Sequence, residues 1–202
     1  MRTVGALIYP GFELLDVFGP MEMFGQLDED FELFLVAEHR GAVRSSHKLS
    51  AVAEVAISER AGFDILFIPG GIGPRTRVET AALLPWIENC AAQAEFTLTV
   101  CTGSAILAKT GWLDGKHATT NKALFSWATA QGPNVLWEPS ARWVQDGNIF
   151  TSSGVSAGMD MTLAAIAAMH GMERAEQVAV WCEYDWHRDA SWDPFAKIYD
   201  LV

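Results

Sequence analysis

Cys101 ends a β-branched, apolar run, Phe96–Val100, and is followed at once by Thr102, Gly103 and Ser104. The run reads as a short buried strand. A helical stretch, Ala105–Lys109, comes next and is closed by Gly111. A nucleophile at a sharp strand-to-helix turn has the layout of a nucleophile elbow. Such a turn holds the sulfur out of the sheet, and the first helix amides favour an anion in the same space. The small residues after Cys101 let a substrate approach the backbone. A free Cys is by default a small buried hydrophobe. At Cys101 strand end, turn and helix start coincide, and that argues for chemistry.

Asp16 is the second candidate. It lies in Phe12-Glu13-Leu14-Leu15-Asp16-Val17-Phe18, an otherwise apolar helical turn. A carboxylate on a buried face is costly unless it is paired or used. Burial would raise its pKa and fit it for proton transfer near neutrality. An exposed helix position, or a cap near the helix start, is the plain alternative. Glu13 falls on a neighbouring face and reads as solvated. Gly70 and Gly71 end another apolar run, and an amide there, Gly71 above all, could share an oxyanion site with the Thr102 amide. An ordinary strand-ending turn explains the same pair. Gly70-Gly71-Ile72-Gly73 does not have dinucleotide-fingerprint spacing.

Other chemistry-bearing residues carry weaker signals. Cys90 sits within an apolar helix and Cys182 is flanked by aromatic residues, so both read as structural. No His is adjacent to Cys101; His117, nearest in sequence, reads as an exposed loop residue. Glu183 and His187 share a helix face at i, i+4 but lack a third ligand, so no metal site is expected. Gly154-Val155-Ser156-Ala157-Gly158 matches Gly-x-Ser-x-Gly, with His170 and His187 downstream. Small residues at an ordinary helix start explain it as well. Trp181, Trp186 and Trp192 read as core or interface rather than pocket lining.

At 202 residues the chain is expected to form one domain spanning 1–202. Its formal net charge of −11 argues against nucleic acid or anionic membranes as partners. There is no signal-peptide pattern and no apolar run of spanning length. The three Cys make neither a disulfide framework nor a zinc pattern. A reduced, cytoplasmic protein is expected.

Alternating segments must position these residues. Strands are expected at Val4–Tyr9, Phe31–Ala37, Phe63–Ile68, Phe96–Val100 and Ala118–Thr120. Residues 41–58 read as short hairpin pieces. Arg142–Val144 and Ile149–Thr151 flank an Asp-Gly hairpin signal. Helices are expected at Phe12–Gly25, Thr80–Ala94 with Thr80 as N-cap, Lys122–Ala130, Ser156–His170 and Met172–Trp186. Continuously apolar strands suit a parallel sheet covered on both faces. The expected fold is a doubly wound, mostly parallel α/β sandwich of flavodoxin type, with ligands beyond the carboxyl ends of the strands. Cys101 and Gly70-Gly71 lie at such ends.

Four segments occur in the order seen in one superfamily: Phe67-Ile68-Pro69-Gly70-Gly71, Val100-Cys101-Thr102-Gly103-Ser104, Ala118-Thr119-Thr120 and Gly154-Val155-Ser156-Ala157-Gly158-Met159-Asp160. With Pro10-Gly11-Phe12-Glu13-Leu14-Leu15-Asp16 and Gly19-Pro20, they make the chain resemble the ThiJ/PfpI superfamily, within the class I glutamine amidotransferase-like folds. In that pattern the Ser156 segment is structural. The Cys-Thr-Gly-Ser elbow with an Asp at position 16 is similar to isocyanide hydratases. The resemblance implies Cys101 as nucleophile, Asp16 as general acid/base, and supporting contacts from Thr102, Gly70 and Gly71, with no cofactor and no metal. It also implies a homodimer with the Asp16 helix near the subunit interface.

Two departures stand out. PfpI-type peptidases carry His directly after the Cys; here it is Thr102, which argues against peptidase activity. Hydratase-like members read Ala-Thr-Thr-His-Trp, where this chain has Asn121-Lys122 after Thr120. Some relatives carry a helix-turn-helix module; the chain shows none, so direct DNA binding is not expected. The resemblance implies a cysteine-dependent hydratase on a small molecule. A cofactor-free glyoxalase or deglycase acting on 2-oxoaldehydes is one alternative. A redox-sensing protein built on a low-pKa, accessible Cys101 is another.

Overall fold

A computed structural model of the chain describes residues 1–71 and 82–202. The expected Thr80 cap and the Ile72-Gly73 turn lie outside them. The main sheet has seven strands: β1 (Arg2–Leu7), β2 (Phe31–Ala37), β5 (Val55–Ala56), β6 (Ile65–Ile68), β7 (Phe96–Val100), β10 (Trp143–Asp146) and β11 (Ile149–Ser152). Their order is β10-β11-β7-β6-β1-β2-β5, and only β10 runs antiparallel to its neighbour. Two small sheets pair β3 (Gly41–Arg44) with β4 (Ser50–Ala53), and β8 (His117–Ala118) with β9 (Leu136–Trp137). No described helix is long and apolar enough to cross a membrane.

Burial explains the parallel sheet. Every residue of β6 and β11 is buried, as are the last four of β7. Strands apolar on both faces need cover on both. Helices α1 (Leu14–Gly25), α5 (Ala157–His170) and α6 (Met172–Trp181) pack together, while α3 (Gly103–Ala108) meets α2 (Leu83–Gln93) and α4 (Phe125–Thr129). The doubly wound sandwich expected from the sequence is the observed fold.

From β1 the chain moves to β2 on one side, and later returns to place β6 on the other. Neighbouring crossovers therefore part at the β1–β6 boundary, the topological switch point where open α/β sheets hold ligands. The exits of β1, β6 and β7 are adjacent there. Close approach fixes the boundary. A Cβ on Gly103 would lie 2.2 Å from the Ile68 carbonyl oxygen, and one on Gly70 would lie 2.6 Å from the Thr102 nitrogen. Small residues let α1 and α5 meet, since a Cβ on Gly19 would lie 2.8 Å from the Met159 side chain.

Some expected elements differ. The C-terminal helix stops at Trp181 rather than Trp186, so Glu183 and His187 share no helix face. The following segment is held elsewhere: the Tyr184 hydroxyl and the His187 amide both donate to Asp160 Oδ1, at 3.0 and 2.9 Å. Asp160 Oδ2 accepts from Arg142 Nε at 2.7 Å in a buried ion pair. A short α7 (Pro194–Ile198) follows, capped by Asp193, which accepts from the Phe195 amide at 3.0 Å. The Asp193-Pro194 pair is a helix-start signal readable in the sequence.

The Gly103 contact yields a stability prediction. Gly103→Ala must push β6 and α3 apart, at about 1–3 kcal/mol. For a chain of this size the melting temperature should fall by roughly 2–12 °C. Thermal unfolding followed by circular dichroism measures it; an unchanged midpoint would refute the close-packing account.

Candidate active site

The β7–α3 turn places Cys101 in the left-handed region, at φ 57°. Non-glycine residues rarely sit there and persist only where surrounding bonds impose the geometry. Four bonds impose it here. The Cys101 amide donates to the carbonyls of Ser152 and Ser153, at 3.2 and 3.1 Å. Its own carbonyl accepts from Ser104 Oγ at 3.1 Å and Thr120 Oγ1 at 3.0 Å. The side chain is buried, at 6% exposure.

Asp16, in the first turn of α1, is fully buried 85 positions earlier in the chain. The exposed position and the cap are thereby set aside; Glu13 occupies the N-cap and makes no capping side-chain bond. Asp16 Oδ2 accepts from the Gly70 amide at 2.9 Å. Oδ1 is buried with no hydrogen-bond partner, and the Cys101 side chain works against the rise of the carboxyl. Glu13 is less solvated than its spacing suggests. Its amide donates to the Gly70 carbonyl at 3.0 Å, and its carboxylate accepts from Ser46 Oγ at 2.9 Å and faces His47 at 3.2 Å.

The Gly70 and Gly71 amides do different work from the expected oxyanion role. Gly70 holds Asp16. Gly71 donates to Thr102 Oγ1 at 3.2 Å, and that hydroxyl in turn donates to the Gly71 carbonyl at 3.3 Å. The Thr102 amide and hydroxyl oppose the rise of the Cys101 thiol. The Gly70 amide thus ties the β6 exit to α1, and the Gly71 amide ties it to the elbow. Gly71 has φ +144°, and a Cβ there would lie 2.2 Å from the Gly11 carbonyl oxygen.

Electrostatics follows from this packing. Burial pushes the Asp16 carboxyl up to about 8, opposed by the Gly70 amide, with Glu13 adding to the rise and Cys101 opposing it. Burial and then the Asp16 charge push the Cys101 thiol well up, against donors from the Thr102 amide, Asn121 and the Thr102 hydroxyl. The two groups titrate as a coupled pair whose neutral state is favoured by burial. This differs from the accessible, low-pKa thiolate that a redox sensor needs. Tyr9, buried with its hydroxyl donating to the Pro69 carbonyl at 2.7 Å, is also shifted up, by burial and then by Asp16 and Cys101.

The Asn121 side chain opposes the rise of the Cys101 thiol, a role hidden when the position is read only as a missing His. Lys122, beside it, is buried, with Nζ donating to Thr119 Oγ1 at 2.7 Å and the Ala141 carbonyl at 2.6 Å. Burial brings its amine down to about 8, with Asp193 opposing and Arg142 adding to the drop. A cavity of about 190 Å³ lies beyond, lined by Asn121, Lys122, Val155, Ser156, Phe195 and Tyr199 among others. A larger one, about 570 Å³, touches the site only through Tyr9 and includes neither Cys101 nor Asp16.

The remaining candidates lie apart. Cys90 Sγ contacts the Ala61 carbonyl at 3.0 Å, and burial pushes its thiol up to about 12. Ser156 Oγ accepts from Arg142 Nη2 at 3.5 Å and belongs to the Asp160 network. His170 stands at the far end of α5, roughly 20 Å along the helix from Ser156. His117 is exposed and bonds Glu138 at 2.7 Å. Trp181 and Trp192 are exposed, and the small cavity takes its aromatic lining from Phe195 and Tyr199 instead.

Comparison with known proteins agrees with this arrangement. Residues 2–168 match the model of the DJ-1/PfpI family. Isonitrile hydratase of Pseudomonas putida is 33% identical over 181 residues, covering 90% of this chain and 78% of that protein. The HTH-type transcriptional regulator CdhR of Pseudomonas aeruginosa is 28% identical over 177 residues; the match covers 86% of this chain and 52% of the regulator. Among solved structures, a ThiJ/PfpI family protein from Pseudomonas syringae superposes with a TM-score of 0.83 at 31% identity, covering 91% of this chain and 75% of that one. With the family model matched over residues 2–168 and a relative 33% identical over 90% of this chain, the protein belongs to the DJ-1/PfpI family.

Proposed function

We propose that the protein is a cysteine-dependent hydratase that converts a small isocyanide to an N-formamide. The observation that carries the reading is the buried Asp16–Cys101 pair: a soft nucleophile whose described titratable neighbour is a carboxyl near neutrality. The likeness to isonitrile hydratase over most of the chain supports the choice of substrate.

The chemistry balances with these two groups and one water. The thiol is held above the carboxyl, so the pair that has lost one proton carries its charge on Asp16, which draws the Cys101 proton as the sulfur attacks. The thiolate attacks the terminal carbon of R–N≡C, forming the S–C bond, while Asp16 delivers the proton to that carbon. The product is a thioimidate, R–N=CH–S–Cys101, beside an ionised Asp16. Asp16 then draws a proton from water as the hydroxyl adds to carbon and passes it to the nitrogen. Collapse breaks the C–S bond, releases R–NH–CHO and returns the hydroxyl proton through Asp16 to the sulfur. An isocyanide carbon and a thiolate are both soft, which favours this attack. A peptide bond would need a proton delivered to a leaving amine, and no His stands beside Cys101 to supply it.

The apolar Leu15 and Phe18 are exposed on α1, at 40% and 44%. They support a homodimer formed through that helix, close to Asp16. Phe18→Glu should convert a dimer to a monomer in sedimentation; an unchanged mass would rule out this face.

Turnover of an alkyl or aryl isocyanide, followed as formamide by mass spectrometry, tests the reaction. Cys101→Ala should abolish it, and Asp16→Asn should lower it about 100-fold or more. Wild-type turnover in either variant would sink the mechanism.

Asp16 also makes a stability prediction. Its folded pKa, about 8, lies above the ordinary carboxylate value. The folded state therefore holds the proton more tightly, and stability from this group is full below about pH 4 and lost as pH rises through about 8. Asp16→Asn removes the effect. Its melting temperature should gain on wild type as pH rises from 5 to 8.5; a gap constant across that range would show that the carboxyl is not raised.

A further inference from the structure

Asn121 lies between residues that hold Cys101: Thr120 Oγ1 donates to the Cys101 carbonyl at 3.0 Å, and the Ser153 carbonyl, beside Gly154, accepts from the Cys101 amide at 3.1 Å. Asn121 Oδ1 accepts from the Leu124 amide at 3.0 Å. That bond fixes the rotation of the carboxamide, so Nδ2 is the end left to face Cys101. The surroundings are shaped around that nitrogen. A Cβ on Gly154 would lie 2.4 Å from Nδ2, so only glycine admits the amide group at this spot. The next residue, Val155, sits at φ 49°. A β-branched residue in the left-handed region is strained, and such strain gathers where function over-determines the backbone. Thr120 ties the same segment to the nucleophile by donating to the Cys101 carbonyl.

We infer that Asn121 is a catalytic residue whose Nδ2 donates a hydrogen bond to the Cys101 thiolate. A donor aimed at developing charge in a dry site stabilises it without reorganising. A carboxamide does so at every pH, because it does not titrate. The other groups around the sulfur are accounted for among the described residues. Asp16 and, behind it, Glu13 come from α1 and its cap; Tyr9 follows β1 and has its hydroxyl on Pro69; Thr102 belongs to the elbow itself. Lys122 Nζ is turned to Thr119 and Ala141.

The inference deepens the hydratase reading and rests on it only for the reaction; the thiolate contact can be tested alone. The probe is iodoacetamide, with alkylation of Cys101 counted by peptide mass between pH 6 and 10. Asn121→Asp keeps the oxygen that receives the Leu124 amide and replaces the donor with a charge, so it should fold. Its alkylation at pH 8 should fall about tenfold or more, with the profile moved up by about one pH unit. Gly154→Ala, which displaces Nδ2 while leaving Asn121 in place, should shift the profile in the same direction. A wild-type profile in Asn121→Asp would overturn the inference, and so would a loss that is equal at every pH. If alkylation shifts as stated but no isocyanide is turned over by wild type, Asn121 keeps its role at the sulfur and the hydratase reading fails instead.

Discussion

A carboxyl and a thiol buried against each other is the constraint on which the rest of this structure depends. Neither group is cheap to bury alone, and the Asp16 charge raises the cost of ionising Cys101. The fold must hold them together against that cost. It does so with backbone: the Gly70 amide on Asp16, the Thr102 amide working against the rise of the Cys101 thiol, and a shared Gly71–Thr102 contact that keeps the two loops in register. Glycine at 70 and 103 follows from this requirement, since a side chain at either would wedge the β6 exit away from the elbow, and one at Gly71 would wedge it away from the Gly11–Glu13 loop. The amides that looked like an oxyanion hole are the struts of the pair.

The sheet topology explains how residues 85 positions apart meet. β6 stands between β1 and β7, so the loop leaving β6 touches both the helix that follows β1 and the turn that follows β7. The switch point is thus where three loops converge and where the Asp16 carboxyl can reach a sulfur from a different crossover. Pro20 within α1 and small residues at Gly19 and Gly158 keep α1 and α5 close beneath this point.

Much of this was legible in the sequence because it is local. The boundary at Val100-Cys101 is marked by a change from β-branched to small residues, and the observed strand has those bounds. The apolar neighbours of Asp16 left burial and an exposed or capping position equally open, and the structure buries it. The parallel sheet followed from strands without alternation. What the sequence hid depends on distant partners. Helix α6 stops short although Tyr184 and Trp186 continue its apolar pattern, because Asp160 draws Tyr184 and the His187 amide into its buried ion pair. The engagement of the Gly70 and Gly71 amides depends on Asp16 and Thr102 and could not be read from a Gly-Gly pair.

Asn121 shows most clearly why composition at one position misleads. Read against a pattern that carries His, it is a loss of a proton carrier. Placed beside Cys101 it keeps the donor and discards the titration. A His there would add a second proton-binding group to a pair that already shares one, and its charge would vary across the pH range in which Asp16 titrates. The carboxamide leaves proton transfer to Asp16 and gives the sulfur a partner of fixed polarity. That division suits a reaction in which one proton leaves the acid for carbon and one returns from water. Gly154 and the strained Val155 then have a common cause: the β11–α5 loop must pass close enough to Asn121 to hold its nitrogen on the sulfur.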